Sequence, residues 1–252
     1  MLPFVLLPGM DGTGALFDRF VRELPSNARP SIVSYPDDPS AGYDELTDHV
    51  AARLRSVGPS VLVAESFSGP IAIRVARRHP DLAQHVVLAA SFLRNPMPRG
   101  MRSLLRCVPR TTFRVPLPRP ALRFALCGRG APARLVADVS AAIRSVSPDT
   151  LAARCRAIAR VDVTADARQL QTPVLSLLAG QDRLLGRRGA QQIRLAIPHA
   201  MAHGIDGPHL LLQTRAADAA TAVMRATAAD ATMASQPSFG GTPRPADPEG
   251  SR

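Results

Sequence analysis

Six short apolar runs, each bounded by Pro, Gly or Ser, set the first limit on the fold. They are "PFVLLPG" (Pro3 to Gly9), "PSIVSYP" (Pro30 to Pro36), "SVLVAES" (Ser60 to Ser66), "HVVLAAS" (His85 to Ser91), "PVLSLLAG" (Pro173 to Gly180) and "HAMAHGI" (His199 to Ile205). Runs this short, without polar alternation, read as strands buried on both faces, the pattern of a parallel sheet. Between them lie stretches of helical character at Tyr43 to Val57, Phe67 to Arg78, Arg187 to Ile197 and His209 to about Ala228. Strand alternating with helix predicts an α/β class with a mostly parallel central sheet and helices on both faces. With 252 residues, 46% of them apolar, the chain can bury one sizeable core. Aromatic residues are only 4% and Trp is absent, so that core is mostly Val, Leu, Ile and Ala.

Two segments break the alternation. Residues 94 to 134 carry ten Arg, no acidic residue and seven Pro, too much Pro for one long helix and too much Leu, Val and Phe for a solvated linker. With the more helical stretch from Ala133 to Arg160, this predicts a cap inserted after the fourth strand. The expected organisation is a core of 1–92 and 171–228, an Arg- and Pro-rich cap of 93–170, and a C-terminal tail of 229–252 whose Gly, Pro and Ser content predicts disorder. No stretch reaches the roughly 18 consecutive apolar residues of a membrane span, and "MLPFVLLPG" lacks the charged start and length of a signal peptide, so a cytoplasmic protein is expected. Cys107, Cys127 and Cys155 are widely spaced and have no His or Cys at ligand spacing; they read as small buried hydrophobes, with no disulfide framework and no metal site.

The chemistry concentrates at "VLVAESFSG", where a strand turns into a helix through Ala64-Glu65-Ser66-Phe67-Ser68-Gly69. A Ser in such a small-x-Ser-x-small frame sits in a tight, strained turn and projects its hydroxyl from the carboxyl end of the sheet. The frame departs from its usual form, with Ala64 for the first Gly, Ser68 for the second, and Gly69 one place later. Ser66 is the candidate nucleophile. It needs a base and a carboxylate that orients the base. "LLAGQDRLL" places Asp182 just beyond a strand, and "GIDGPHLLLQ" places His209 in the loop after the last strand. Asp206 competes with Asp182, and His199 and His203 compete with His209. Glu65 either tunes the site or faces solvent. Asp11 and Thr13 shape the "GMDGTG" turn through side-chain to backbone hydrogen bonds. That turn is not a phosphate loop, because the Lys-Ser/Thr ending is absent.

The order Ser66, Asp182, His209, each after a strand, resembles the α/β-hydrolase fold of serine hydrolases. "LLPGMDGTG" (Leu6 to Gly14) matches in position that family's His-Gly oxyanion loop, with Pro8 where His is usual. The "LPGxDGTG" and "ESFSG" forms resemble a branch that includes bacterial hydrolases of unassigned substrate and the hydrolase-like domain of plant esterase/acyltransferase proteins. The resemblance implies a Ser-His-Asp triad of Ser66, His209 and Asp182, backbone N–H oxyanion donors at Met10 and Phe67, and cleavage of an ester or thioester without a cofactor. An acyltransferase using the same triad with an alcohol acceptor stays open, as do a haloperoxidase- or lyase-type relative and a non-catalytic binding or scaffold protein.

Charge supplies the one further clue to substrate. The formal net charge is +11 and every basic residue is Arg; residues 91 to 170 hold 15 Arg against 4 acidic residues, so the whole surplus lies there. Arg94, Arg99, Arg102, Arg106, Arg110 and Arg114 recur every three to five residues among Leu, Val and Phe. They form a candidate surface for an acidic acyl-carrier protein, coenzyme A or another anionic acyl group, or for peripheral contact with an anionic membrane; the alternative is a solvated, Arg-biased lid. Nucleic acid is excluded as a partner by the lack of stacking aromatics.

Overall fold

Strands buried in an apolar core must satisfy their backbone polar groups against one another, and here they do so in a single sheet. In the computed structural model, which describes residues 1–97 and 104–234, the strands are β1 (Phe4–Leu7), β2 (Pro30–Ile32), β3 (Ser60–Glu65), β4 (Ala83–Ala89), β5 (Val174–Ala179) and β6 (Met201–Ile205). They run in the order β2-β1-β3-β4-β5-β6, with every neighbouring pair parallel. Side chains alternate between the faces. Val5, Leu7, Leu62, Ala64, Val86 and Leu88 enter one core, under helices Tyr43–Val57, Gly69–Arg78 and Arg187–Ala196. Phe4, Leu6, Val61, Val63, Val87 and Ala89 enter the other, under helices Asp18–Glu23, Leu211–Thr214 and Ala216–Ala234.

β2 and β6 are edge strands, and both depart from the expectation of burial on both faces: no residue of β2 is buried, and in β6 only Ile205 is. An edge has no neighbour beyond it, so its small residues Ala202 and Gly204 stay open to solvent. Helix Tyr43–Val57 matches its expected bounds, because its signals are local. Glu45 accepts the Gly42 N–H at 2.9 Å, the buried residues Leu46, Val50 and Leu54 recur at helical spacing, and Gly58 ends it at φ +87°. The last helix runs through Ala234 instead of stopping near Ala228, since the Ala-rich sequence meets no breaker before Pro237. The rest of the expected tail, 235–252, lies outside the described residues. Cys127 and Cys155 are buried, but Cys107 is exposed, contrary to expectation, and is not among the residues of the small core nearby.

The stretch between β4 and β5 is built as its Pro content requires. It has short helical turns at Arg110–Phe113, Arg119–Leu122 and Arg123–Cys127, then helices Ala133–Arg144 and Pro148–Arg160. Leu122, Cys127, Leu135, Val136 and Val139 form a small core of their own that also takes in Leu210. The last helix of the stretch is pinned at its start: Ser147 Oγ accepts the Thr150 N–H, and Asp37 accepts the Ser147 N–H. Arg99 and Arg102 lie outside the described residues. Among the described residues, no helix is long and apolar enough to cross a membrane.

The order of strands reverses beside β1, so the loops leaving the carboxyl ends of β1 and β3 part there and open a crevice. The Leu7 to Ala64 register sets the loop after β1 beside the turn after β3. That turn depends on Gly69, where a Cβ would lie 1.9 Å from Ser91 Oγ and 3.1 Å from the Phe92 carbonyl. Gly69→Ala is therefore expected to lower stability by about 2 kcal/mol or more in chemical denaturation. A loss below about 0.5 kcal/mol would contradict the close approach.

Candidate active site

Ser66 follows directly on β3 with φ +47°, in the left-handed region that a residue with a Cβ seldom occupies. Side chains on neighbouring elements hold it there. Ser91 Oγ donates to the Ser66 carbonyl at 2.6 Å, and Tyr43 Oη donates to the Phe67 carbonyl at 3.2 Å while its ring stacks on Phe67. Because Gly69 lets the residues after β4 come close, it serves as the small residue that the altered frame displaced by one place.

The hydroxyl of Ser66 lies 2.9 Å from His209 Nε2, and His209 Nδ1 lies 2.9 Å from Asp182 Oδ2. The His209 and Asp182 side chains are almost wholly buried. Asp182 Oδ1 accepts the backbone N–H groups of Leu184 and Leu185 at 2.8 and 2.9 Å. Burial alone would raise the Asp182 carboxyl, but the hydrogen bond and charge of His209, with the Leu185 and Leu184 amides, outweigh it and hold it below its ordinary value. An ionised Asp182 fixes the proton of His209 on Nδ1 and leaves Nε2 free to accept from Ser66. Chemically, the row can remove a proton from a serine hydroxyl.

The loop after β1 is tethered on several sides. Ser68 Oγ donates to the Pro8 carbonyl, and Tyr35 Oη donates to Ser68 Oγ at 2.5 Å. Burial drives the Tyr35 hydroxyl well above its ordinary value, so it stays a donor. Ser68, where the usual frame has Gly, thus ties the turn after β3 to the loop after β1. From the other side, the buried Arg154 donates to the carbonyls of Met10, Asp11 and Pro36. Asp11 Oδ1 accepts from the N–H and hydroxyl of Thr13, and Thr13 Oγ1 accepts the Ala15 N–H.

Glu65 faces neither solvent nor a cation. Its Oε2 accepts from Gln213 Nε2 at 3.2 Å, and a Cβ on Gly9 would lie 3.8 Å from that same oxygen. Burial lifts its carboxyl to about 8, with Asp11 adding to the rise and the Gln213 hydrogen bond opposing it. Glu65 is therefore mainly neutral at pH 7, which lowers the cost of burying its Oε1 without a hydrogen-bond partner among the described residues.

The competing residues lie elsewhere. Asp206 accepts from Gln181, His199 is beside the Thr172 carbonyl, and His203 is an exposed residue of edge strand β6. Among the described residues, the basic side chains grouped from sequence do not line one common cavity. Arg94 lines one of about 600 Å³ with Arg168 and Arg188, Arg114 lines another of about 230 Å³, Arg110 lies 3.9 Å from Asp149, and Arg106 is exposed. A further cavity of about 520 Å³ borders Ser91, Asp182 and Leu185 but not Ser66 or His209. Tyr35, Arg154 and Gln213 were not singled out from sequence. Arg154 is one Arg among 31, and only the fold brings it to the first loop. Among the described residues, no group of three His, Cys, Asp or Glu could hold a metal ion.

A family model described as serine aminopeptidase, S33, matches residues 29–204. No curated protein matches the chain. Solved structures similar to it include an enol-lactonase from Burkholderia xenovorans LB400, 19% identical, covering 90% of this chain and 92% of that one at a TM-score of 0.73. A thermophilic esterase from Thermogutta terrifontis is 19% identical, with coverage of 91% and 90% and a TM-score of 0.75. A bromoperoxidase from Bacillus anthracis is 17% identical, with coverage of 90% and 92% and a TM-score of 0.74. At these identities the likeness shows a common fold.

The buried Glu65 gives a stability prediction. Its carboxyl titrates at about 8 in the folded protein against an ordinary 4.5, so from about pH 5 to pH 8 the unfolded chain binds fewer protons and stability falls as pH rises. Glu65→Gln keeps the shape and removes the linkage. Thermal melts at several pH values are expected to show a steeper alkaline decline of Tm in the wild type than in the variant. Equal slopes would contradict a neutral, buried Glu65.

Proposed function

The chain belongs to the α/β-hydrolase family described as serine aminopeptidase, S33, and on that premise we propose that it is a serine hydrolase cleaving an ester or thioester through an acyl-enzyme on Ser66. The observation that carries this reading is the row from Ser66 Oγ through His209 to Asp182, with 2.9 Å at each step, beginning at a residue held at φ +47°. The motifs "LPGMDGTG" and "ESFSG" support the branch that includes esterase/acyltransferase proteins.

In the first step His209 Nε2 takes the Ser66 proton as Oγ bonds to the acyl carbon. The carbonyl oxygen becomes an oxyanion facing the backbone N–H groups of Met10 and Phe67, while Asp182 balances the charge on the imidazolium. The carbonyl re-forms, the bond to the alcohol or thiol breaks, and His209 gives that leaving group its proton. Water then attacks the acyl-enzyme, His209 accepts its proton, and the acid leaves as Ser66 regains its hydrogen. Fixed N–H donors need no reorganisation as the charge appears, and removing one such donor typically costs about 10²- to 10³-fold in rate.

The Arg surplus supports an anionic or carrier-bound acyl group as substrate. The cavity lined by Arg94, Arg168 and Arg188, with no acidic residue among the described residues of its wall, is a basic feature on which such a group could rest. Two measurements test these readings. Hydrolysis of p-nitrophenyl esters from acetyl to palmitoyl, with an aminoacyl p-nitroanilide beside them for the peptidase chemistry that the family description names, is expected to favour an ester and to fall by about 10⁴-fold or more in Ser66→Ala. Undiminished activity in that variant would overturn the mechanism. The KM for an acyl-coenzyme A is expected to rise with salt while that for a neutral ester does not; a salt-insensitive KM would remove the anionic substrate.

A further inference from the structure

Arg154 belongs to helix Pro148–Arg160, between β4 and β5, yet its side chain ends beneath the loop that follows β1. It is 2% exposed and, among the described residues, takes part in no ion pair. Its Nη1 donates to the carbonyls of Met10 at 3.0 Å and Asp11 at 2.7 Å, and its Nη2 to that of Pro36 at 2.9 Å. The guanidinium also lies 5.9 Å from the centre of the Tyr35 ring. A buried cation is costly to desolvate, and here the three carbonyl acceptors and the charges of Asp11 and Asp37 offset that cost. What the cation adds is the orientation of particular peptide planes.

Those planes adjoin the oxyanion donor. The Gly12 N–H donates to the Gly9 carbonyl at 3.0 Å, and in a planar trans peptide the N–H of Met10 then points the opposite way, out of the turn. The next two carbonyls, of Met10 and Asp11, are the ones Arg154 holds. The space it uses is reserved by sequence, since Gly12 has φ +71° and a Cβ there would lie 2.5 Å from Arg154 Nη1. Cys155, the next residue on the helix, packs its sulfur 3.6 Å from that of Met10.

We infer that Arg154 is a positioning residue for the oxyanion loop: it fixes the peptides beside the Met10 N–H, so the segment inserted after β4 helps to assemble the catalytic site and does more than cover it. The inference rests on the acyl-transfer reading above. It gives Arg154 a role in the transition state, which a residue that merely stabilises the fold would not have.

The test compares Arg154→Met, Arg154→Lys, Ser147→Ala and Ser66→Ala by kcat and KM on one p-nitrophenyl ester, inhibition by phenylboronic acid, and Tm. Boron adds to the serine hydroxyl and sets an oxygen where the oxyanion would be. Arg154→Met is expected to lower kcat by about tenfold to a hundredfold with KM within about twofold, and to weaken boronate inhibition by a similar factor. Arg154→Lys, which keeps the charge but not the fork, is expected to fall between. Ser147→Ala removes the cap of the same helix, lowering Tm with kcat within about twofold of wild type. If kcat in both Arg154 variants stays within about twofold, or if Ser147→Ala loses kcat and boronate affinity as they do, the inference is overturned. Should Arg154→Met fail to fold, Arg154→Lys against Ser147→Ala decides by the same criteria. Full activity in Ser66→Ala would instead strike the reading beneath it, whereas an inactive Ser66→Ala beside unimpaired Arg154 variants strikes this inference alone.

Discussion

The left-handed backbone at Ser66 costs a residue with a Cβ roughly 1–3 kcal/mol, and it persists only because the surroundings leave no alternative. Gly69 admits Ser91 into contact, Ser91 Oγ takes the Ser66 carbonyl, and Tyr43 closes on Phe67 from the neighbouring helix. Each of these residues stands where the parallel sheet puts it. β3 ends at Glu65, β4 delivers Ser91, and β5 and the last loop bring Asp182 and His209 to the same end of the sheet. The strained turn points the hydroxyl outward, and the sheet assembles its hydrogen-bonded partners.

A second constraint acts on the loop after β1. Its shape is kept by tethers from three directions. Ser68, itself bonded by Tyr35, holds Pro8 from the turn after β3, Arg154 holds Met10 and Asp11 from the segment between β4 and β5, and Thr13 closes on Asp11 from within. In a low-dielectric interior each bond is stronger than in water, and each unmade one is costlier, so such a network is rigid only when it is complete. The segment between β4 and β5 also reaches the other side of the site. The Leu210 N–H donates to the Leu126 carbonyl beside His209, and Gly128 lies against Pro208. Its displacement would therefore disturb both loops.

Legibility in the sequence followed the range of the interactions. The strands were readable because each is a short apolar run between breakers, and helix Tyr43–Val57 because its cap, stripe and terminator are all local. The exposed face of β6 was not readable, since nothing in "MAHGI" says that no strand lies beyond it. The strand ends selected Ser66, Asp182 and His209, and the structure brings these side chains within hydrogen-bonding distance. Ser68 read as a departure from a pattern; the fold shows the hydroxyl tied to Pro8. Arg154 could not be found, because its partners are 118 to 144 residues away and its charge was hidden in an Arg-rich background. Of the basic residues grouped from sequence, Arg94 and Arg114 line different cavities and Arg110 lies near Asp149, placements that the spacing of Arg along the chain does not reveal.

The central claim is that Ser66 forms a covalent bond because His209 accepts its proton. Labelling with a fluorophosphonate, which phosphorylates an activated serine and loses fluoride, followed by mass spectrometry of the digested protein, tests it most directly. The account predicts one adduct, on the peptide bearing Ser66, formed by the wild type and slowed by at least about 10³-fold in His209→Ala. An adduct on a different serine, or labelling of Ser66 at an unchanged rate without His209, would contradict it.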